Sequence, residues 1–144
     1  MRLAGRIWKD GRTWLAEVPM LDAMTQGRTR PEAFRMVADL VTTMAGKTGF
    51  EVRVYPGRKG QFEIGTPDAA ALVAVMLRRH REKHGLSLSE VARRLGARSK
   101  TAYARYEQGR SVPTVEKLFE LLGAVAPGDD FALQESPRGP HLAA

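Results

Sequence analysis

The sequence predicts an α+β protein of two units, a small sheet with one helix over residues 1–65 and an all-α unit over residues 66–126. In the first half, apolar and polar residues alternate in short runs, which is typical of half-buried strands. In the second half, apolar residues recur at helical spacing between capping signals. Residues 127–144 hold several Gly and Pro but few large apolar side chains, so we expect a flexible tail.

Composition narrows the class of protein. The 144 residues carry a net charge of +7 and include no cysteine, which excludes disulfides and cysteine-ligated zinc. The charge suits a polyanionic partner and is shared between the halves, with net +4 over residues 1–66 and +5 over residues 67–126. With no long apolar run and no signal peptide, we expect a cytoplasmic protein without membrane contact.

The first two strands form a predicted hairpin around Asp10-Gly11, a pair that favours a type I′ turn. That turn would pair Ile7 with Trp14 and leave one sheet face almost wholly apolar. The opposite face carries Trp8, which either packs at an edge or anchors an interface. We predict a partner interface there, and its members are Trp8, Arg6 and Leu15.

Further elements complete the first unit. A short strand over Ala23–Gln26 is followed by Gly27 and by a capping box of Thr29 and Glu32 that begins a helix. Two more strands are expected over Phe50–Tyr55 and Gln61–Ile64.

A search for catalytic or metal-binding groups gives no candidate. The acids of the first half form no pair suited to acid–base or metal chemistry, and this half lacks His, Ser and Cys. His80 and His84 share a helix face, but Arg81 stands where a metalloprotease helix needs Glu. We predict no enzyme activity, no metal and no cofactor.

The second half begins a helix at Thr66-Pro67 and continues with a Ser87–Glu90 capping box and a Gly96 stop. Ser99 then caps another helix, so two short helices flank a glycine turn, the layout of a DNA-reading helix-turn-helix. On the second of these helices the spacing predicts three buried residues, Ala102, Tyr103 and Tyr106. The outward residues are then Lys100, Thr101, Ala104, Arg105 and Gln108. A last helix follows Pro113-Thr114.

Residues 72–125 resemble the Xre/Cro-type helix-turn-helix through Leu86, Val91-Ala92, Leu95-Gly96, Tyr106-Glu107, Gly109, Pro113 and Leu118. The resemblance implies that Lys100, Thr101 and Arg105 read DNA bases. It also implies that Ser99, Gln108 and Arg98 lie near phosphates.

Residues 1–65 are similar to HicB-type antitoxins through three segments, Ala16-Glu17-Val18-Pro19, Thr25-Gln26-Gly27 and Thr29-Arg30-Pro31-Glu32-Ala33. This resemblance implies a degenerate ribonuclease-H-like domain that masks a HicA-type RNase toxin. The helix-turn-helix would then repress the protein's own operon as a homodimer or higher oligomer on operator DNA.

Two other functions stay open. The basic first unit also suits a solitary regulator in which this unit dimerises or senses another ligand. A nucleic-acid enzyme would need acids such as Glu17 or Asp22.

Overall fold

The computed structural model describes residues 1–143 and divides into two compact units. The first contains residues 1–68 and the chain from Ser136 onward, and the second contains Ala69–Glu135. The α+β class is confirmed. The more specific ribonuclease-H-like assignment rests on the resemblance and stays a prediction. Within the described residues, no helix is long and apolar enough to span a membrane.

The first unit is an antiparallel sheet with one helix. Its strands lie in the order β3-β2-β1-β5-β4-β6, and a 3-10 turn over Pro19–Leu21 joins β2 to β3. The strands are β1 Arg2–Asp10, β2 Thr13–Val18, β3 Ala23–Gly27, β4 Arg53–Pro56, β5 Gln61–Gly65 and the two-residue β6 Leu142–Ala143.

The β1–β2 hairpin has a different register from the predicted one. Ile7 pairs with Ala16, not with Trp14, so the prediction was wrong by two residues. The reason is that Gly11, with φ 59°, is the first central residue of the turn and not the second. Because side chains alternate with a period of two, this shift leaves the predicted apolar face unchanged.

Helix α1, Arg30–Ala45, covers the apolar face. Its buried residues include Phe34, whose ring meets Phe62 of β5 edge to face at 5.4 Å between centroids. Thr29 caps the helix by accepting from the Glu32 backbone N–H at 3.2 Å. The Glu32 carboxylate accepts from the Arg28 N–H at 2.7 Å, so the predicted reciprocal bond to Thr29 is displaced by one residue.

The chain end, which the sequence predicts to be flexible, makes contacts with the first unit. Ser136 hydrogen-bonds Glu63, and Arg2 donates to the Pro137 carbonyl at 3.1 Å. The His141 ring lies 5.5 Å from the Tyr55 ring, and β6 pairs with β4. These contacts, which no local sequence pattern reveals, hold residues 136–142 against β1, β5 and β4.

The second unit is all α. Its helices are α2 Ala69–Lys83, α3 Leu88–Arg94, α4 Lys100–Glu107 and α5 Val115–Val125. Their core is made of fully buried apolar residues, notably Leu72, Met76, Leu77, Val91, Tyr103, Leu121 and Val125. The start of α2 lies two residues after the predicted Pro67, and the other helices begin where the caps indicate.

Candidate nucleic-acid interface

Helix α3, the first helix of the helix-turn-helix, has a side-chain cap at its start and a glycine at its end. The Ser87 hydroxyl accepts from the Glu90 N–H at 3.1 Å, and the Glu90 carboxylate accepts from the Ser87 N–H at 2.6 Å. The bond from the Ser87 backbone N–H, followed by an interaction with the Ser87 side chain, lowers the pKa of Glu90, because each stabilises the charged carboxylate. Gly96, with φ 67°, then ends α3 and lets the chain turn toward Ser99.

The orientation of α4 differs in part from the predicted one. Tyr103 is buried and Arg105 is exposed, as the spacing indicates. Ala102 is exposed and Ala104 is buried, so these two assignments were wrong. The reason is that the polar Glu107 lies on the buried side, which turns the inward face toward residues 103, 104 and 107.

A hydrogen-bonded ion pair fixes α4 in this orientation. Arg81 of α2 donates to both carboxylate oxygens of Glu107, at 2.6 and 3.1 Å, and to the Leu86 carbonyl at 2.9 Å. Tyr103 donates to the same carboxylate at 2.6 Å. Burial, followed by this hydrogen bond, raises the pKa of the Tyr103 hydroxyl, and the bond to Glu107 raises the pKa of Arg81.

The outward face of α4 holds the predicted base readers. Thr101 and Arg105 are exposed and four residues apart, so they share one side of the helix. Lys100 is exposed at the first helical position. Neither cation forms an ion pair within the described residues. Free donors on an exposed helix fit the acceptors that bases present in the major groove.

The predicted phosphate contacts lie at the two ends of α4. Ser99 is the N-cap, and its side chain makes no capping hydrogen bond, which leaves the hydroxyl available. Arg98 is exposed in the preceding turn. Gln108 is exposed at the C-cap, about 12 Å along the axis from the helix start.

Sequence reasoning missed two residues at this surface. Ala102 faces outward beside Arg105, and its small side chain permits close approach of a groove wall. Arg110 is exposed after Gly109, whose φ of 67° redirects the chain at the end of α4. The signal available was a cation directly after a helix-ending glycine.

The first unit presents the predicted partner surface. Trp8 and Leu15 are direct cross-strand partners on the face opposite α1, and Arg6 pairs with Glu17 there at 2.7 Å. Trp8 is 37% exposed, and Met24 of β3, which pairs with Glu17 of β2, is 55% exposed. The fold therefore brings the three predicted residues together on one exposed surface.

Four acids of the first unit are bonded to neighbouring groups. Glu17, Glu51 and Glu63 form ion pairs with arginines at 2.7 to 3.0 Å. Glu32 caps the chain before α1. Among residues 1–143, no group of three potential metal ligands lies close together.

Comparison with protein families identifies the second unit. Residues 72–133 match the family model described as a helix-turn-helix domain. The match confirms the predicted helix-turn-helix in the C-terminal part of the chain and supports DNA binding by it. A comparison with curated proteins gives no match to the chain.

Proposed function

We propose that the protein is a transcription regulator that reads its operator with α4. The observation that carries this proposal is the exposed face of Thr101 and Arg105, held outward by the internal Arg81–Glu107 pair. Lys100 joins these two as a base reader, and Ser99, Arg98 and Gln108 contact phosphates. Two copies bind together, because paired modules read half-sites about 34 Å apart.

The test is selection of duplex DNA from a random-sequence pool with the full-length protein. We expect enrichment of an inverted repeat with half-sites about one helical turn apart. A pool that stays random after repeated selection contradicts the proposal.

The finer form of the proposal is a HicB-type antitoxin that masks a HicA-type RNase toxin and represses its own operon. The resemblance of residues 1–65 motivates it, and the surface of Trp8, Leu15 and Arg6 supports it. An exposed tryptophan beside aliphatic and charged side chains is the composition of a protein-binding surface.

Co-expression with the neighbouring gene product, followed by size-exclusion chromatography, tests this finer form. We expect a stable complex that Trp8→Ala weakens and that Met36→Ala, an exposed apolar residue on α1, leaves intact. Co-elution that survives both substitutions places the toxin contact elsewhere. No complex at all contradicts the antitoxin function and leaves DNA binding untouched.

A solitary regulator is the second candidate, and the basic character of the first unit favours it. The unit carries net +4 over residues 1–66, which opposes close approach of a basic toxin. Absence of a neighbouring gene for a small basic protein, together with a dimer formed by residues 1–68, supports this candidate.

We also propose that the protein is not an enzyme and needs no cofactor. The engagement of Glu17, Glu51 and Glu63 in ion pairs supports this, because each carboxylate is already held by an arginine. A nuclease assay with magnesium or manganese tests it. Cleavage that disappears in Glu17→Gln or Asp22→Asn contradicts the proposal.

A further inference from the structure

Six cations lie at one end of the sheet in the first unit, and we call this group the basic end. They come from three segments far apart in sequence, the β1–β2 hairpin, the chain after β3 and the β4–β5 turn. The members are Lys9, Arg12, Arg28, Arg30, Arg58 and Lys59.

Strand pairing shows that these segments meet. Trp14 pairs with Lys9 of β1 on one side and with Gly27 of β3 on the other. The hairpin turn and the last residue of β3 therefore lie at the same end of the sheet. The Ile7 N–H donates to the Gly60 carbonyl at 2.7 Å, which places the β4–β5 turn there too. From β3 to β4 the row crosses four strand spacings, about 19 Å.

Two carboxylates, Asp10 in the hairpin and Glu32 at the start of α1, also lie at this end, but within the described residues neither forms an ion pair with the six cations. Five members of the basic end are exposed, and Arg30, which lies over the Phe34 ring, is half-exposed. None of the six forms an ion pair in the part of the chain that the structure describes. The paired cations of the unit all lie elsewhere, namely Arg2, Arg6, Lys47 and Arg53.

The β4–β5 turn, which carries two of these cations, packs closely against β1. Lys59 has φ 51° and Gly60 has φ 75°, so the β4–β5 turn adopts left-handed conformations that few residues share. A Cβ on Gly60 would lie 2.7 Å from the Ile7 carbonyl oxygen, which shows how closely the turn fits against β1. The two cations of this turn, Arg58 and Lys59, are therefore carried on backbone that packs closely against β1.

We propose that the basic end binds the phosphate backbone of duplex DNA, giving the chain a second DNA contact besides the helix-turn-helix. A row of about 19 Å crosses several phosphates of a duplex, whereas a single small anion would engage only part of it. Covalent linkage to a DNA-binding region raises the local concentration of phosphates for this end. The inference extends the proposed regulator and assigns the first unit a direct role on DNA.

The test is the salt dependence of binding of the full-length protein to random-sequence duplex DNA. The variant Lys9→Gln/Arg58→Gln/Lys59→Asn removes three charges, and Asn suits the left-handed backbone at position 59. We expect the slope of log affinity against log salt to fall by about 0.9 for each phosphate that the variant no longer neutralises, up to about 2.7. The matched control, Arg35→Gln/Lys47→Gln/Arg53→Gln, removes the same charge elsewhere in the unit and should keep the slope within about 0.9.

Two outcomes overturn the proposal. One is an unchanged slope on duplex DNA in the basic-end variant, and the other is an equal fall in the control, which would reflect net charge alone. If the slope on duplex DNA is unchanged and binding to single-stranded RNA disappears, this end binds RNA instead. Thermal unfolding of each variant is measured first, so that only folded proteins are compared. If the triple variant is unfolded, the double variant Arg58→Gln/Lys59→Asn takes its place.

Failure of this inference is distinguishable from failure of the proposed function. The basic end contacts phosphates only, so its variant should keep the ratio of affinities for the selected site and random DNA. In Arg105→Ala, by contrast, the ratio of affinities for the selected site and random DNA should fall. That result tests base reading by α4 and not the basic end.

Discussion

Arg81 of α2 and Glu107 of α4 form a two-point ion pair in the second unit. The Glu107 side chain is only 7% exposed and that of Arg81 16%. The same guanidinium also holds the Leu86 carbonyl just ahead of α3. One side chain therefore fixes the orientation of α4 relative to the other helices, from the side away from the exposed face of Thr101 and Arg105.

Removing one partner of this pair should destabilise the second unit. Glu107→Leu leaves the Arg81 charge partly buried and uncompensated, which costs about 2–4 kcal/mol of unfolding free energy. Urea denaturation measures the loss, and affinity for the selected DNA should fall as α4 loosens. In a double-mutant cycle with Arg81→Met, we expect the double variant to lose less than the sum of the single losses.

An exposed ion pair supplies the control. Lys117 and Glu120 lie 3.1 Å apart on α5, and both are substantially exposed. Lys117→Gln should change stability by less than about 1 kcal/mol. Equal losses at the two pairs would show that Arg81–Glu107 has no special part in fixing α4.

The raised pKa of Tyr103 predicts a loss of stability in alkali. The folded state holds the phenolic proton more tightly than the unfolded chain, where the pKa is near its usual 10.0. This contribution is therefore complete below about pH 10 and decreases above it, by up to about 1.4 kcal/mol per pH unit. Tyr103→Phe should remove that part of the slope in urea titrations between about pH 8 and pH 11.

Tyr106→Phe, on the same helix but half-exposed, is the matched comparison. It tests whether any tyrosine substitution in α4 reduces the loss of unfolding free energy at alkaline pH. If Tyr103→Phe and the wild type lose stability in parallel above about pH 10, the hydroxyl does not contribute as argued.

Gly27 should be intolerant of a side chain because of its contact with α1. A Cβ there would lie 2.5 Å from the Ala33 nitrogen and 2.9 Å from the Glu32 carbonyl carbon, both backbone atoms. Gly27→Ala must therefore displace the helix from the sheet, at a cost of about 1–3 kcal/mol. Chemical denaturation followed by tryptophan fluorescence, which reports on Trp14 beside Gly27, measures it.

Gly123 provides the opposite case. It lies exposed within α5, and no atom stands within 4 Å of an added Cβ. Gly123→Ala should stabilise the second unit by up to about 1 kcal/mol through helix propensity. If the two substitutions changed the free energy of unfolding similarly, backbone entropy and not contact with α1 would determine the effect of Gly27→Ala.

Local signals in the sequence predicted the helices well, and long-range contacts set the rest. Ser87 and Thr29 cap their helices through bonds to residues three positions away. Both partners of each bond lie within the motif, so the sequence alone is enough to predict the cap. The hairpin register was misjudged because a two-residue shift preserves both faces. The conformation of Gly11, and not the hydrophobic pattern, decides between the two registers.

In the candidate site, too, local sequence predicted some features and long-range contacts determined the others. Periodicity alone identified Arg105 and Thr101 as outward residues. Periodicity predicted Ala102 as buried and Ala104 as exposed, and the structure has the reverse. A glutamate normally indicates an exposed face, but Glu107 is held on the buried side by Arg81, 26 residues away. The basic end was not visible in charge counts, since only the strand order brings its three segments together.

Arg105 offers the most direct test of the DNA-reading face. If its guanidinium makes a two-point contact with a guanine, Arg105→Ala should cost about 1–3 kcal/mol of affinity for the selected site and relax preference at one base position. Arg98→Ala, which removes a proposed phosphate contact, should weaken binding to all sequences alike. Titration of the selected duplex and of its single-base variants separates the two effects.

The control for Arg105 is Lys117→Ala on α5, which removes the same charge away from α4. Its affinity and base preference should match those of the wild type. Because Arg105 is exposed and has no ion pair in the described part of the chain, its removal should leave folding stability within about 0.5 kcal/mol. Any larger change in DNA affinity then reports contact with DNA, and an unchanged base preference would exclude Arg105 as a reader.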